Sequence, residues 1–447
     1  MSQHENRPSL RTPVSLFKGS DGSTIVHAPL LGKAFKAQGE VLTTISELVE
    51  GKDLTGASLA TMSSLHQLGL IGEHELPTPL TEPITEFRPL EATLIFTETC
   101  NLACSYCYAS STATKASPMP IHIAQAAVDL VIANAQKSEL GGAMFRYIGG
   151  GEPTVEWELL RSVTDYVERA ASKAGVRHFI RLITNGTLLT KERVAWLAHH
   201  LDFVTLSFDV LPELQEQRPY ISGKSTQNKL LTVIQELSTA GVEFHIRTTV
   251  SSAGAGRLVD MVKYIDQHTQ AKSIRFEPMA EIGRSLNTSV GKPNQQLFSE
   301  SFKEAYVLGK ELGIEVTCKQ FKNLLRRNSR FCDAEFSVAP TGLVSACHRY
   351  SREDHNGQDL FRIGMFNGSK FIFDLDKINN VRSIDVNSFN ECQTCMAKWN
   401  CAGGCLSARV GPNGIINRGP LCDLTRDLLK FSIEQRLEST DEQREKD

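Results

Sequence analysis

Eleven cysteines divide this chain into unlike parts. Cys100, Cys104 and Cys107 fall close together, none follows until Cys318, and the late group is Cys318, Cys332, Cys347, Cys392, Cys395, Cys401, Cys405 and Cys422. Scattered core cysteines do not produce that split. The cysteine-free stretch is also the most regular part of the sequence. Six short apolar runs, "TLIFTE", "FRYIGG", "FIRLIT", "FVTLSFD", "FHIRTTV" and "SIRFEP", alternate with helical patterns over 121–138, 157–173, 190–200, 225–239 and 256–267. Such runs read as buried strands. Six β–α repeats predict an α/β fold with a parallel sheet under helices, as a partial barrel or an open sheet. Functional residues in such folds stand at the carboxyl ends of strands. "TETCNLACSYCYAS" follows the first run, "GGGEP" the second, "TNGT" the third, and "SFD" ends the fourth. Four unusual motifs at four strand ends predict one site.

The flanks differ. Residues 1–82 read as a small module: "VSLFKGSDGSTIVHAP" is a strand, a turn and a strand. Two helices follow, on Val41, Leu42, Ile45, Leu48 and Val49, then on Leu59, Met62, Leu65 and Leu68. "ELPTPLTEPITEFRP" reads as a linker. The expected domains are 1–82, 83–300 and 301–447. The last contains most of a helix over 294–312, a cysteine-rich stretch over 314–422 held by metal more than by a core, a helix over 423–437 and a solvated tail, "ESTDEQREKD".

At 447 residues the chain exceeds one ordinary core. A net charge of −3 provides no basic field for nucleic acid and no polybasic membrane anchor. No apolar run is long enough to span a bilayer, and the polar N-terminus lacks a signal core, so a cytoplasmic location is expected. In a reducing cytosol, clustered cysteines bind metal or do redox work.

Zinc closes tetrahedrally on four protein ligands. Cys100, Cys104 and Cys107 have no fourth partner nearby, which leaves a zinc site incomplete but suits a four-iron cluster with one iron open to a ligand. Zinc and chance clustering remain the alternatives from this motif alone. In the late group, Cys332 is followed by nine residues, Gly342, four residues and Cys347. Then come Cys392-x2-Cys395-x5-Cys401-x3-Cys405 and, after sixteen residues, Cys422. With Cys318 these eight thiols would suffice to close two four-iron clusters, which would use every cysteine; the count alone leaves the role of Cys318 open.

These residues resemble the radical S-adenosylmethionine (SAM) superfamily, whose mark is CxxxCxxC with an aromatic residue, here Tyr106, before the last cysteine. The late cysteines resemble the signature of its SPASM subgroup. The resemblance spans about 90 to 425. It implies a partial (β/α)6 TIM-like barrel followed by a cysteine-rich iron–sulfur domain, with three [4Fe–4S] clusters. SAM would chelate the open iron held by Cys100, Cys104 and Cys107. Glu152 would take the SAM ammonium, and Gly150 and Gly151 would let the backbone approach the ligand. Asn185 and Ser207 stand where the family touches the ribose and carboxylate. Arg218 resembles the arginine that pairs with the SAM carboxylate, Arg247 is a second candidate, and Tyr106 lies near the adenine. The bland alternatives are a glycine turn before Pro153, surface ion pairs for the arginines and packing for Tyr106. The implied chemistry is reductive cleavage of SAM to methionine and a 5′-deoxyadenosyl radical, which abstracts hydrogen from a substrate.

SPASM enzymes mostly modify peptides or proteins. Sulfatase-maturing relatives place an Asp after the second SPASM cysteine; here His348 follows Cys347, which counts against that activity. His348 and Asp354 are candidate bases, with a surface loop as the plainer reading. The N-terminal module resembles a winged-helix-like α+β domain that docks the leader of a precursor peptide as an added strand; a structural cap is its alternative. The expected function is therefore modification of a ribosomally made precursor peptide (RiPP maturation), such as a crosslink, with a reductant such as flavodoxin or ferredoxin as partner. The competing readings are maturation of a sulfatase or amine dehydrogenase, a small-molecule dehydrogenase, and an iron–sulfur electron-transfer protein.

Overall fold

A computed structural model describes residues 9–444, except 53, 55, 80–81, 112–116, 325, 353–357, 412–413 and 416–417. The candidate base Asp354 and the ends of both tails lie outside the described residues.

The N-terminal module is an antiparallel sheet of β1 (Ser15–Lys18), β2 (Thr24–Ala28) and β3 (Lys33–Ala37), with helices α1 (Gly39–Val49) and α2 (Leu59–Gln67). Val26, Ala28, Ile45, Leu65 and Leu70 form its own core. The Ser58 hydroxyl accepts from the Thr61 N–H and caps α2. The third strand, "KAFKA", escaped the sequence reading because Lys and Ala carry little strand preference; pairing with β2 holds it. The proline-rich linker is packed, not free. Phe87 meets the Phe373 ring edge-on at 5.1 Å, and the backbone of Ile84 exchanges two 2.9 Å hydrogen bonds with the Asn379 side chain.

The six expected strands are β4 (Glu91–Leu94), β5 (Gly142–Tyr147), β6 (Arg177–Thr184), β7 (Phe203–Ser207), β8 (Phe244–Val250) and β9 (Ser273–Pro278), in parallel and in chain order. Helices α3 (Ile121–Gln136), α4 (Trp157–Ala174), α5 (Lys191–His200), α6 (Pro212–Gln215), α7 (Gln227–Thr239) and α8 (Leu258–His268) alternate with them. Along each strand, one set of side chains is buried against these helices, as Ile180 and Leu182 are on β6. The alternate set, including Arg146, Arg181, Arg247 and Arg275, faces the other way. Arg181 there donates to the Thr205 hydroxyl at 2.7 Å.

The sheet does not stop at residue 300. After α9 (Gln295–Leu312), a seventh parallel strand, β10 (Glu315–Cys318), pairs with β9. At the opposite edge, β11 (Ser337–Val338) pairs parallel with β4, and β12 (Leu343–Ser345), β13 (Arg362–Phe366) and β14 (Phe371–Phe373) continue antiparallel. These strands are too short to show a period in sequence. Phe336, Val338, Val344 and Ile363 share one buried core with the parallel strands. The cysteine-rich stretch, expected to be held by metal more than by a core, also extends the main sheet and shares the main core. The short helices α10 (Lys319–Asn323), α11 (Gln358–Phe361), α12 (Leu375–Ser383) and α13 (Lys398–Cys401) lie among the late cysteines, of which α13 carries Cys401, and α14 (Cys422–Arg444), which starts at Cys422, closes the fold. The tail read as a solvated end is helical to Arg444. Among the described residues, no helix is long and apolar enough to cross a membrane.

Candidate active site

The loop after β4 carries Cys100, Cys104 and Cys107, and its backbone is held from three sides. The Ala103 and Ser105 N–H groups donate to the carbonyls of Pro219 and Gln217, each at 2.9 Å. The N–H groups of Gly151 and Glu152 donate to the carbonyls of Thr97 and Thr99 at 2.8 and 2.9 Å. From the far side, the Arg284 guanidinium donates to the Cys104 carbonyl at 2.7 Å and to that of Ser111.

This geometry revises the role of the glycines. A Cβ on Gly151 would lie 1.9 Å from the Thr99 carbonyl oxygen, and one on Gly150 would lie 2.9 Å from that of Thr97. The backbone that approaches so closely is the chain's own cysteine loop. Gly151 lines the cavity above that loop, whereas Gly150 is not among the lining residues.

Glu152 is buried in the wall of this cavity. Its Oε1 accepts from the Thr154 N–H, the Thr154 hydroxyl and the Thr184 hydroxyl at 3.1, 2.7 and 2.5 Å. Its Oε2 accepts from the Asn185 N–H alone, at 2.7 Å, which leaves room for a further donor. Burial raises its pKa, against those hydrogen bonds. Asn185 works mainly within the protein: its Nδ2 donates to Asn101 in the cysteine loop at 3.0 Å, and its Oδ1 accepts from Thr187. Ser207 also lines the cavity.

Arg218 and Tyr106 form a unit that sequence reasoning missed. The Tyr106 hydroxyl donates to the buried carboxylate of Asp209. Arg218 Nη1 donates to the same hydroxyl at 3.0 Å. Asp209 stands in "SFD", but nothing local marks it as the partner of Tyr106, 103 residues earlier. The buried Arg218 Nε–H has no partner among the described residues, so this guanidinium is oriented and still has a donor to give. Arg247 lines the cavity at another place, with Tyr108, Glu277 and Arg349, which were also missed. Burial, then Glu152, pushes the Cys100 thiol up to about 12; burial also raises Cys104, with Arg218 opposing. Three half-buried thiols with no fourth protein ligand beside them among the described residues, with an oriented guanidinium and a carboxylate that can take a further donor, fit a thiolate-held metal cluster plus a ligand bearing both charges.

The late cysteines form two groups. Cys392, Cys395, Cys401 and Cys422 line one cavity with Arg409. Cys332, Cys347 and Cys405 line another. Cys318, at the end of β10, is fully buried and its Sγ accepts from the Phe321 N–H at 3.4 Å. His348 is not loose on the surface: its Nδ1 lies 3.0 Å from Glu335 Oε2.

Residues 94–253 match the family model of the Radical SAM superfamily. The chain carries a radical SAM domain. Among curated relatives, an uncharacterised protein of Methanocaldococcus jannaschii is 30% identical over 40% of this chain and 59% of its own, so the chain spans under two thirds of that relative. The cysteine-type anaerobic sulfatase-maturating enzyme of Clostridium perfringens is 24% identical over 69% of this chain and 86% of its own. The PqqA peptide cyclase of Methylocella silvestris is 24% identical over 78% and 91%. A solved structure of native anSMEcpe with bound AdoMet and a Kp18Cys peptide superposes with a TM-score of 0.64 at 21% identity, covering 78% of this chain and 98% of that one. The radical SAM fold therefore extends past the matched segment, and its cysteine loop, Glu152 and Arg218 converge on one cavity.

Proposed function

We propose that this protein is a radical SAM enzyme that modifies a ribosomally made precursor peptide, with one [4Fe–4S] cluster on Cys100, Cys104 and Cys107 and two auxiliary clusters of the SPASM type. The observation that carries the reading is the cavity in which these thiols meet Glu152, Asn185 and Arg218. Bound there, SAM and the cluster would supply a 5′-deoxyadenosyl radical able to take a hydrogen atom from a substrate carbon. Glu152 Oε2 would receive the ammonium of SAM, and the free Arg218 Nε–H its carboxylate. Ser207 and the glycine turn shape the wall, and Tyr106 orients Arg218 rather than reaching for the adenine.

One auxiliary cluster falls to Cys392, Cys395, Cys401 and Cys422, and the other to Cys332, Cys347, Cys405 and Cys318. Separate cavities lined by the first four and by Cys332, Cys347 and Cys405 support this division, and a third cavity between them is lined by Cys401, Cys405 and Cys422. The similarity to a peptide cyclase supports a peptide substrate, docked through the N-terminal module, with flavodoxin or ferredoxin as reductant. Protein maturation is the second reading, favoured by the similarity to a sulfatase-maturating enzyme; the Glu335-bound His348, in place of the expected Asp, weighs against that substrate.

Anaerobic reconstitution tests the assignment. About twelve irons per chain are expected for three four-iron clusters, and dithionite with SAM should release 5′-deoxyadenosine. Cys104→Ala should abolish that release, while Cys395→Ala should retain part of it and lose product. An iron-loaded protein that never cleaves SAM would be an electron-transfer protein instead.

A further inference from the structure

Two sets of neighbours of different chemistry line the cavity. The three cysteines, Glu152 and Arg218 form one. Arg247, Glu277, Arg349 and Tyr108, with Arg275 beside them, form the other, and Tyr108 also adjoins Cys107. Arg247 and Arg275 are direct partners across β8 and β9. Like charges at paired positions repel. Arg275 has its own counter-ion, because its Nε pairs with Glu277. Arg247 and Arg349 have none within ion-pair distance, and neither guanidinium donates a hydrogen bond among the described residues. Arg349 comes from the turn after Cys347 and sits 5.9 Å from the centre of the Tyr108 ring. Tyr108 lines the same cavity, and its buried hydroxyl has no hydrogen-bond partner among the described residues. It cannot swing toward Gly149, where even a Cβ would lie 2.6 Å from it.

Proteins leave few buried polar groups without partners. Here the buried Tyr108 hydroxyl and two half-buried guanidiniums, from three parts of the chain, converge without a hydrogen-bond partner among the described residues; Arg247, Arg275 and Arg349 surround the Glu277 carboxylate, and Arg349 also lies near the Cys347 and Cys405 thiols. What is missing is an anion with oxygens to share between two forks. SAM does not supply it, because Arg218 is the oriented arginine beside the cysteines. The charged and phenolic groups around Arg218 are Tyr106, Cys104 and Asp209, not Arg247. We propose that Arg247 and Arg349, with the Tyr108 hydroxyl, clamp a carboxylate carried by the substrate peptide next to the position attacked. The inference rests on the peptide-substrate reading above. The carboxylate is an Asp or Glu side chain or the peptide's own C-terminus. It moves Arg247 from the list of SAM contacts to the substrate side.

The test uses reconstituted holoenzyme with SAM, immobilised anaerobically and exposed to matched sets of short peptides. Each set contains an Asp or Glu peptide, its Asn or Gln isostere, and both with free or amidated C-termini. Mass spectrometry of retained peptides is expected to show at least about tenfold preference for the carboxylate member. The free-against-amidated arm tells which carboxylate is held. The preference should fall to about one in Arg247→Met/Arg349→Met and to an intermediate value in the Lys pair, which keeps the charge and loses the fork. A ratio of one in the wild type, or an unchanged ratio in the double variant, overturns the clamp. So does a loss of SAM affinity in Arg247→Met as large as the loss of preference. If the double variant fails to load iron, Tyr108→Phe decides: the preference should drop severalfold, and no drop counts against the proposal. Release of 5′-deoxyadenosine is read separately, so failure of the radical SAM reading is distinguishable from failure of the clamp.

Discussion

Arg284 Nη1 donates to the carbonyl of Cys104 at 2.7 Å, across 180 residues of sequence. The same residue's N–H donates to the Cys107 carbonyl at 2.9 Å. Gly283 makes this possible: it has φ +62°, and a Cβ there would lie 2.3 Å from the Tyr108 carbonyl oxygen. The segment after the sixth strand is thus a clasp on the cysteine loop. Each charged hydrogen bond contributes roughly 1.5–3 kcal/mol when partly buried. Arg284→Met should lower stability by about 2 kcal/mol and deplete the cluster on Cys104 first, measured as thermal melting and iron per chain. Arg284→Lys should recover part of the iron, since an ammonium still reaches one carbonyl.

Gly151→Ala should be among the most damaging single-methyl additions in the chain. Its Cβ would fall 1.9 Å from Thr99 oxygen, so backbone must move against the sheet. A loss of more than about 3 kcal/mol is expected, read by denaturant unfolding. Gly175→Ala is the control. Gly175 has φ +65°, unlike Gly151, but no atom lies within 4 Å of its would-be Cβ, so only about 1 kcal/mol of backbone strain is expected.

Tyr106→Phe removes the hydroxyl between Asp209 and Arg218 and leaves a buried carboxylate short of a donor. We expect a stability loss of about 1–3 kcal/mol and about tenfold weaker SAM binding, measured by equilibrium dialysis, because Arg218 loses its anchor. Unchanged affinity would reduce Tyr106 to packing.

Acid should weaken the fold through two buried imidazoles. Burial lowers His27 to about 4; burial, then Arg181 and Arg275, lowers His245 to about 3. An unfolded imidazole takes its proton near pH 6.5, so between that pH and about 4 the unfolded state binds more protons and stability rises with pH. The contribution is intact above about 6.5 and is lost progressively below it, at a cost of about 2 kcal/mol per histidine at pH 5. His27→Phe should therefore shrink the drop in melting temperature between pH 7 and pH 5 by about half. A drop of the wild-type size would show that His27 accepts a proton without penalty.

Much of the fold was legible along the chain. The α4 and α5 patterns read as 157–173 and 190–200 became Trp157–Ala174 and Lys191–His200, because helical periodicity and capping residues such as Thr190 are local signals. β10, β11 and β12 were not legible. β10 pairs with β9 and β11 with β4, far away in sequence, while β12 pairs with β11 and β13; nothing within two to four residues reports these pairings. The site divides in the same way. Cys100, Glu152, Asn185 and Arg218 stand in recognisable motifs, whereas Asp209, Tyr108, Glu277, Arg284 and Arg349 acquire roles only from what lies opposite them.

By itself the sequence determined the thiol spacing, the alternation of strand and helix, and the motifs at the strand ends, since each depends on residues a few positions apart. Only the tertiary structure decided that Gly150 and Gly151 serve the chain's own loop, that Arg284 clasps it, and that Arg218 and Arg247 have different neighbours in one cavity. The reason is physical. A hydrogen bond, a close backbone contact or an unpaired charge is a relation across space, and parallel strands bring together groups that the chain separates by a hundred residues or more.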